Sequence, residues 1–197
     1  MQILVDGDCV FGNGFPFVDE EIVNRAMSNI PFETYSNIGT RVTNDMDVEY
    51  FMNLVRIRFP YRLYAVEIED SVFSKLEFTE RMILHCVYSR SCNGFVREKH
   101  ITALLAENSP DWTIPYIVKV CDEYVIEILQ AVYENLKDRN TNKFKNFCAE
   151  NWAMFCKSYN RMISYWNEFY RSDYYRYEEY VGRKLFIECF GAKRNML

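Results

Sequence analysis

A chain of 197 residues, 49% hydrophobic and 17% aromatic, can bury a core without disulfide or metal staples and is too rich in Tyr, Phe and Trp for a disordered segment. Its formal net charge of −5 and pI near 5.2 exclude a broadly basic face for duplex nucleic acid or anionic membrane, leaving only local basic patches. With 7 Gly and 5 Pro the chain lacks the regular turn chemistry of an all-β sandwich, so helices are favoured.

In chain order, residues 1–60 are the least regular part. The opening "MQILVDGDCVFG" has no basic leader, and no stretch approaches the roughly 18 uninterrupted apolar residues of a membrane span, so a cytoplasmic protein without a membrane segment is expected. "VDEEIVNRAM" has helical character, and "DVEYFMNLVRIRF" reads as a second helix capped by Asn44 or Asp45 and ended at Pro60. From about Val72 the helical period sharpens. Met82, Ile83, Cys86 and Val87 share one face, and Asn93-Gly94 reads as a stop in which Gly takes the left-handed conformation. "FVREKHITALLAE" follows as a helix, then "TIPYIVKVC" with Pro115 near its first turn. A further helix begins at about Tyr124, where Val125, Ile128, Leu129, Val132 and Leu136 form one apolar stripe. Beyond "KDRNTN", apolar residues from Phe144 to Phe169 keep helical period for roughly seven turns, which predicts one long aromatic helix. A Tyr-rich segment then closes the chain with a break and another helix.

The expected fold is all-α: a single domain over residues 1–197, with helix pairs over 72–138 and aromatic helices over 140–190. "GFVREKHITALL" laid over "EYVIEILQAVYENL" matches Val96 with Val125 and Glu98 with Glu127, and paired helices that recur along a chain mark α-solenoids. Val-Arg-Glu after a turn resembles the second helix of a HEAT repeat. The segments "NGFVREKHITALL", "IPYIVKVCDEYVIEIL" and "RMISYWNEFYR" also resemble a group of uncharacterised bacterial α-helical proteins with HEAT-like repeats, over roughly half the chain. That resemblance implies stacked antiparallel helix pairs, a HEAT-like α-solenoid fragment, and no particular activity. It also implies a structural ion pair between Arg97, at the edge of its apolar stripe, and Asp122 or Glu123. The second copy has Ile126 where the first has Arg97, so a continuous ladder of such pairs is not expected.

Candidate chemistry is sparse. "DGDCVFG" is similar to the D-G-D-C-x-x-C opening of a family of small thiol–disulfide proteins, but Gly12 replaces the second Cys, so Cys9 lacks a resolving partner. Asp6 and Asp8 lack a matching downstream acidic and Lys constellation and read as turn residues. His85, Cys86, Cys92 and His100 have no zinc spacing, and Cys148 and Cys156 read as core thiols. The seven cysteines form no C-x-x-C pair, which fits a reducing compartment. No cofactor, metal site or catalytic set is predicted. The remaining unusual stretch is "YNRMISYWNEFYRSDYYRYEEYVGRK", where Arg and Tyr alternate. Arg161, Tyr165, Tyr170, Arg171 and Tyr175 are the expected contact residues of a non-enzymatic interaction or scaffold module whose partner is another protein, because Tyr, Trp and Arg dominate interface hot spots. Single-stranded nucleic acid, in a defence or regulatory setting, is the alternative partner through the same surface, since ring and guanidinium faces stack on bases.

Overall fold

In the computed structural model, residues 4–5, 8–9, 11–30 and 47–193 are described. They divide into two compact units, one ending at His100 and one beginning at Ile101.

In the first unit, β1 (Leu4–Val5) and β2 (Asp8–Cys9) pair antiparallel, with Leu4 opposite Cys9 and Val5 opposite Asp8. Asp6 lies outside the described residues. Asp19 starts α1 (Glu20–Met27) by accepting the Glu21 N–H at 2.8 Å, and Glu20 and Glu21 lie at its positive N-terminal end. The helix buries Val23, Ala26 and Met27 and packs on the later helix Phe78–Tyr88.

The stretch expected to be a helix after Asn44 and Asp45 is instead a hairpin of β3 (Asp47–Met52) and β4 (Val55–Pro60). The physical reason is alternation. Val48, Tyr50 and Met52 point inward together with Ile57 and Phe59, while Glu49 and Arg56 pair on the other face. Met52 lies opposite Val55, so the turn is Asn53-Leu54, with φ of 51° and 65°. Two consecutive left-handed residues are what a two-residue hairpin loop requires, and Asn tolerates that conformation best among side-chain-bearing residues. Asn44 and Asp45 themselves lie outside the described residues.

An irregular segment then leads to α2 (Asp70–Phe73), followed by α3 (Phe78–Tyr88) and α4 (Gly94–Ala106). Glu77 and Glu80 form a capping box at the start of α3. The expected stop at Asn93-Gly94 is a start: Asn93 Oδ1 accepts the Phe95 N–H at 3.0 Å, and Gly94 is the first residue of α4 with no positive φ.

In the second unit, α5 (Ile114–Val120) carries Pro115 in its first turn, and α6 (Ile126–Leu136) buries Ile128, Leu129, Val132 and Leu136 of the stripe read from the sequence, while Val125 is the half-buried, extended residue before it. The single long aromatic helix is two: α7 (Asn142–Glu150) and α8 (Trp152–Tyr165). Asn151 separates them at φ −107° and ψ 36°, with its Nδ2 bonded to Phe147 O at 2.9 Å. An Asn side chain that bonds the preceding turn competes with the helix ladder. After α8 come a π-helical turn (Trp166–Tyr170), α9 (Val181–Lys184) and a second π turn (Leu185–Cys189). Helices α6 and α8 both pack on α9. The chain is thus mostly helical, and among the described residues the β hairpins are confined to the first unit. Among the described residues, no helix is long and apolar enough to cross a membrane.

Candidate functional site

The π turn sets the candidate surface. A π turn holds one more residue per turn than an α-helix and so rotates the residues after it away from the face the α-helix was burying. On α8, Phe155, Tyr159 and Met162 are buried. Past Trp166 none of the turn's residues is buried, and Phe169, which the sequence pattern assigns to the core stripe, is 56% exposed.

Phe169 belongs to a ring set. Its centroid is 6.1 Å from Tyr165 and 6.2 Å from Tyr124, which is 52% exposed, and Tyr124 meets Tyr165 edge-on at 5.9 Å. Tyr170 donates its hydroxyl to Tyr124 O and stacks on buried Tyr180 at 5.9 Å. Burial raises the Tyr170 pKa, so the phenol stays a donor. The Trp166 indole N–H donates to Tyr174 O at 3.0 Å, and the Arg171 guanidinium sits 5.8 Å from the Trp166 ring centre while bonding Asn167 Oδ1 at 3.0 Å. The polar atoms of Tyr170 and Trp166 are therefore used internally, and Tyr124 and Phe169 offer ring face outward.

Of the five expected contact residues, Tyr165, Tyr170 and Arg171 lie in or against this set. Tyr175 stands on the following loop at 81% exposure. Arg161 points elsewhere, with its Nη1 3.8 Å from Asp122 Oδ1. Tyr124 and Phe169 are the members that sequence reasoning missed. Tyr124 falls just before α6, where helical period says nothing about its direction.

Arg97 is buried, and its Nη1 donates to Ser91 O at 2.9 Å and Cys92 O at 3.1 Å, carbonyls of the turn leading into α4. Asp122 and Glu123 are buried in the second unit. The Asp122 carboxylate accepts from Lys119 Nζ at 2.6 and 2.7 Å and from Ser158 Oγ at 2.9 Å. All three side chains are buried, and this charge-assisted network ties the end of α5 to α8.

The two histidines meet. His85 Nδ1 and His100 Nδ1 are 2.7 Å apart, and His100 Nε2 lies 3.0 Å from Glu67 Oε1. Phe73 lies over both imidazoles, at 4.9 and 5.3 Å, and Tyr88 stacks on His100 at 4.9 Å. Burial, with smaller contributions from neighbouring positive charge, holds both histidines down to about 3. No local signal marks this pair, because fifteen residues and a turn separate its members. Cys86 is buried with its thiol pKa pushed up, and Cys92 is exposed. Among the described residues, no group of three or more His, Cys, Asp or Glu side chains is placed to hold a metal ion. Cys148 is buried, as expected of a core thiol, whereas Cys156 is half-buried.

A cavity of about 210 Å³ opens in the second unit between Leu104, Ile117, Leu136 and Phe144. The cations at its mouth are engaged, Arg139 with Leu105 O at 3.2 Å and Lys143 with Asp111 at 3.0 Å. No protein-family model, curated protein or solved structure matches the chain.

Proposed function

We propose that the chain is a cytoplasmic, non-enzymatic interaction module that captures another protein on the ring face formed by Tyr124, Tyr165, Phe169 and Tyr170, with Arg171 and Tyr175 at its margin. The observation that carries this reading is the outward turn of Phe169 into a contiguous ring set in which the Tyr170 hydroxyl and the neighbouring Trp166 N–H are occupied internally. Such a face gains free energy by removing ring area from water, at roughly 25 cal/mol per Å². The surrounding charge is balanced, since exposed Arg171 and Arg176 stand among Glu168, Asp173, Glu178 and Glu179. That balance favours a protein partner over a phosphate backbone, which needs net positive charge. We read the helix pairs of the middle of the chain as HEAT-like stacking that presents this face, and the buried free thiols fit a reducing compartment.

The test is photo-crosslinking from position 175 in the native cell, with and without the double substitution F169A/R171A. A discrete protein adduct that falls at least tenfold in the double variant, with Tm unchanged, is the expected result; an adduct indifferent to it would sink the reading. Single-stranded nucleic acid is the competing partner, favoured by the guanidinium over Trp166. Binding of labelled poly-dT that weakens steeply with salt would replace the protein reading with that one.

A further inference from the structure

The histidine pair sits under a strap made of the irregular residues 61–69 and α2, Asp70–Phe73, and the strap is fastened in two different ways. At its start the fastening is backbone. Leu63 N–H donates to Arg90 O at 2.7 Å, Cys92 N–H donates to Leu63 O at 3.0 Å, and Arg90 Nη2 donates to Tyr61 O at 2.7 Å. At its far end it is side chain. The Tyr88 hydroxyl accepts the Ile68 N–H and donates to Val66 O, both at 3.1 Å, and Lys99 Nζ bonds Glu67 at 2.7 Å and Asp70 at 2.8 Å. Phe73 then covers the imidazoles.

The hydrogen positions are assigned from the hydrogen-bond partners. His100 Nε2 faces a carboxylate and so carries a hydrogen; a neutral His100 therefore has a bare Nδ1, and the bridging hydrogen belongs to His85 Nδ1. Both rings are neutral and fully used at the bridge. A first added proton can go only to His85 Nε2, which puts a charge beneath Phe73. A second, on His100 Nδ1, sets two N–H groups head to head across 2.7 Å and breaks the bridge. From these facts we infer that the His85–His100 pair is an acid-operated latch: taking up protons releases the strap from Val66 to Phe73 while its start stays pinned at Leu63.

The charged groups facing the pair pull in both directions. Glu67 and Asp70 on the strap favour a charged imidazole, Arg81 on α3 and Lys99 on α4 oppose it, and Glu67 is already shared with Lys99. Burial is the largest influence on either ring and decides the sign. Closed, both histidines titrate near about 3; with the strap lifted they return toward about 6.5. The open form therefore binds more protons at any pH below about 6.5. The closed latch is fully stable above that value and loses stability as the pH falls toward about 3. At pH 5 each histidine that reaches water favours opening about 30-fold, and the two together roughly a thousandfold.

The test is hydrogen exchange on the full chain, corrected for the intrinsic pH dependence of amide exchange, followed over Val66–Phe73 from pH 7.5 to 5. Lys99 holds the Asp70 carboxyl below its usual range, so Asp70 stays ionised in that window. Wild type should show an opening constant that rises by two to three orders of magnitude in these amides, and H85F/H100F a rise below about threefold. A flat wild-type profile, an equal rise in the double variant, or an equal rise in the β3–β4 hairpin would each overturn the latch. Should the double variant fail to fold, imidazole NMR signals of wild type decide the matter. Two rings that remain neutral at pH 5.5 in the closed form uphold it, and ordinary titration near 6.5 with the strap still protected refutes it.

Discussion

Two aromatic regions of the second unit share α8 and meet opposite fates. In one, Phe155 stacks on Phe186 at 5.5 Å, and Phe186 and Phe144 both meet Phe190, all of them buried. In the other, Tyr124, Tyr165, Phe169 and Tyr170 keep similar ring spacings, yet Tyr124 and Phe169 are exposed and Tyr165 and Tyr170 only half-buried. Ring-to-ring geometry therefore does not separate a core from an exposed cluster here. The difference lies in covering. In the first set α9 and the Leu185–Cys189 turn pack on α8 and α7, whereas the second gathers about the π turn, Trp166–Tyr170, that rolls the chain off the stripe of α8.

The comparison breaks most sharply at Phe186. F186A should cost about 3–5 kcal/mol in denaturant unfolding, because it leaves a cavity where Phe155, Tyr159 and Phe190 now touch the ring. A loss below about 1 kcal/mol would mean that this region is no better covered than the other. The boundary between the two is sharpened at Gly182. A Cβ there would lie 2.6 Å from Tyr180 Cε1 and 2.9 Å from Met162 Sδ, so G182A should cost about 1–3 kcal/mol. Tyr180 stacks on Tyr170, so the same substitution should also disturb the exposed set, visible as a changed tyrosine near-UV signal. F169A is the smallest change, within about 0.5 kcal/mol by thermal or denaturant unfolding. A large loss there would return Phe169 to the core stripe the sequence assigns it.

Legibility in the sequence depends on how local each cause is. The α6 stripe is readable because one face is apolar and the other carries Glu127, Gln130 and Glu134. The β3–β4 hairpin is not, since its turn is Asn53-Leu54 rather than a Gly-containing pair, and Leu54 extends an apolar pattern that also suits a helix. The break at Asn151 is hidden because Cys148, Trp152 and Phe155 keep helical spacing across it while one amide side chain redirects the backbone. The sequence places Arg97 at the edge of an apolar stripe, and in the structure it is buried with its guanidinium on the carbonyls of Ser91 and Cys92. For the candidate surface, composition is enough to find Tyr165, Tyr170 and Arg171. Phe169 depends on a π turn that leaves no residue signature, Tyr124 stands before the first turn of α6 where helical period does not reach, and the histidine pair depends on how α3 and α4 meet.

The backbone pin at Leu63 has a kinetic meaning. A segment held at one end does not diffuse away when its other end lets go; it stays at high effective concentration over the site it left. Closing a loop of about ten residues takes on the order of 10–100 ns. Return of the strap is then an intramolecular search far faster than most mixing experiments, and the response to a change of pH is graded and reversible rather than a one-way loss of structure.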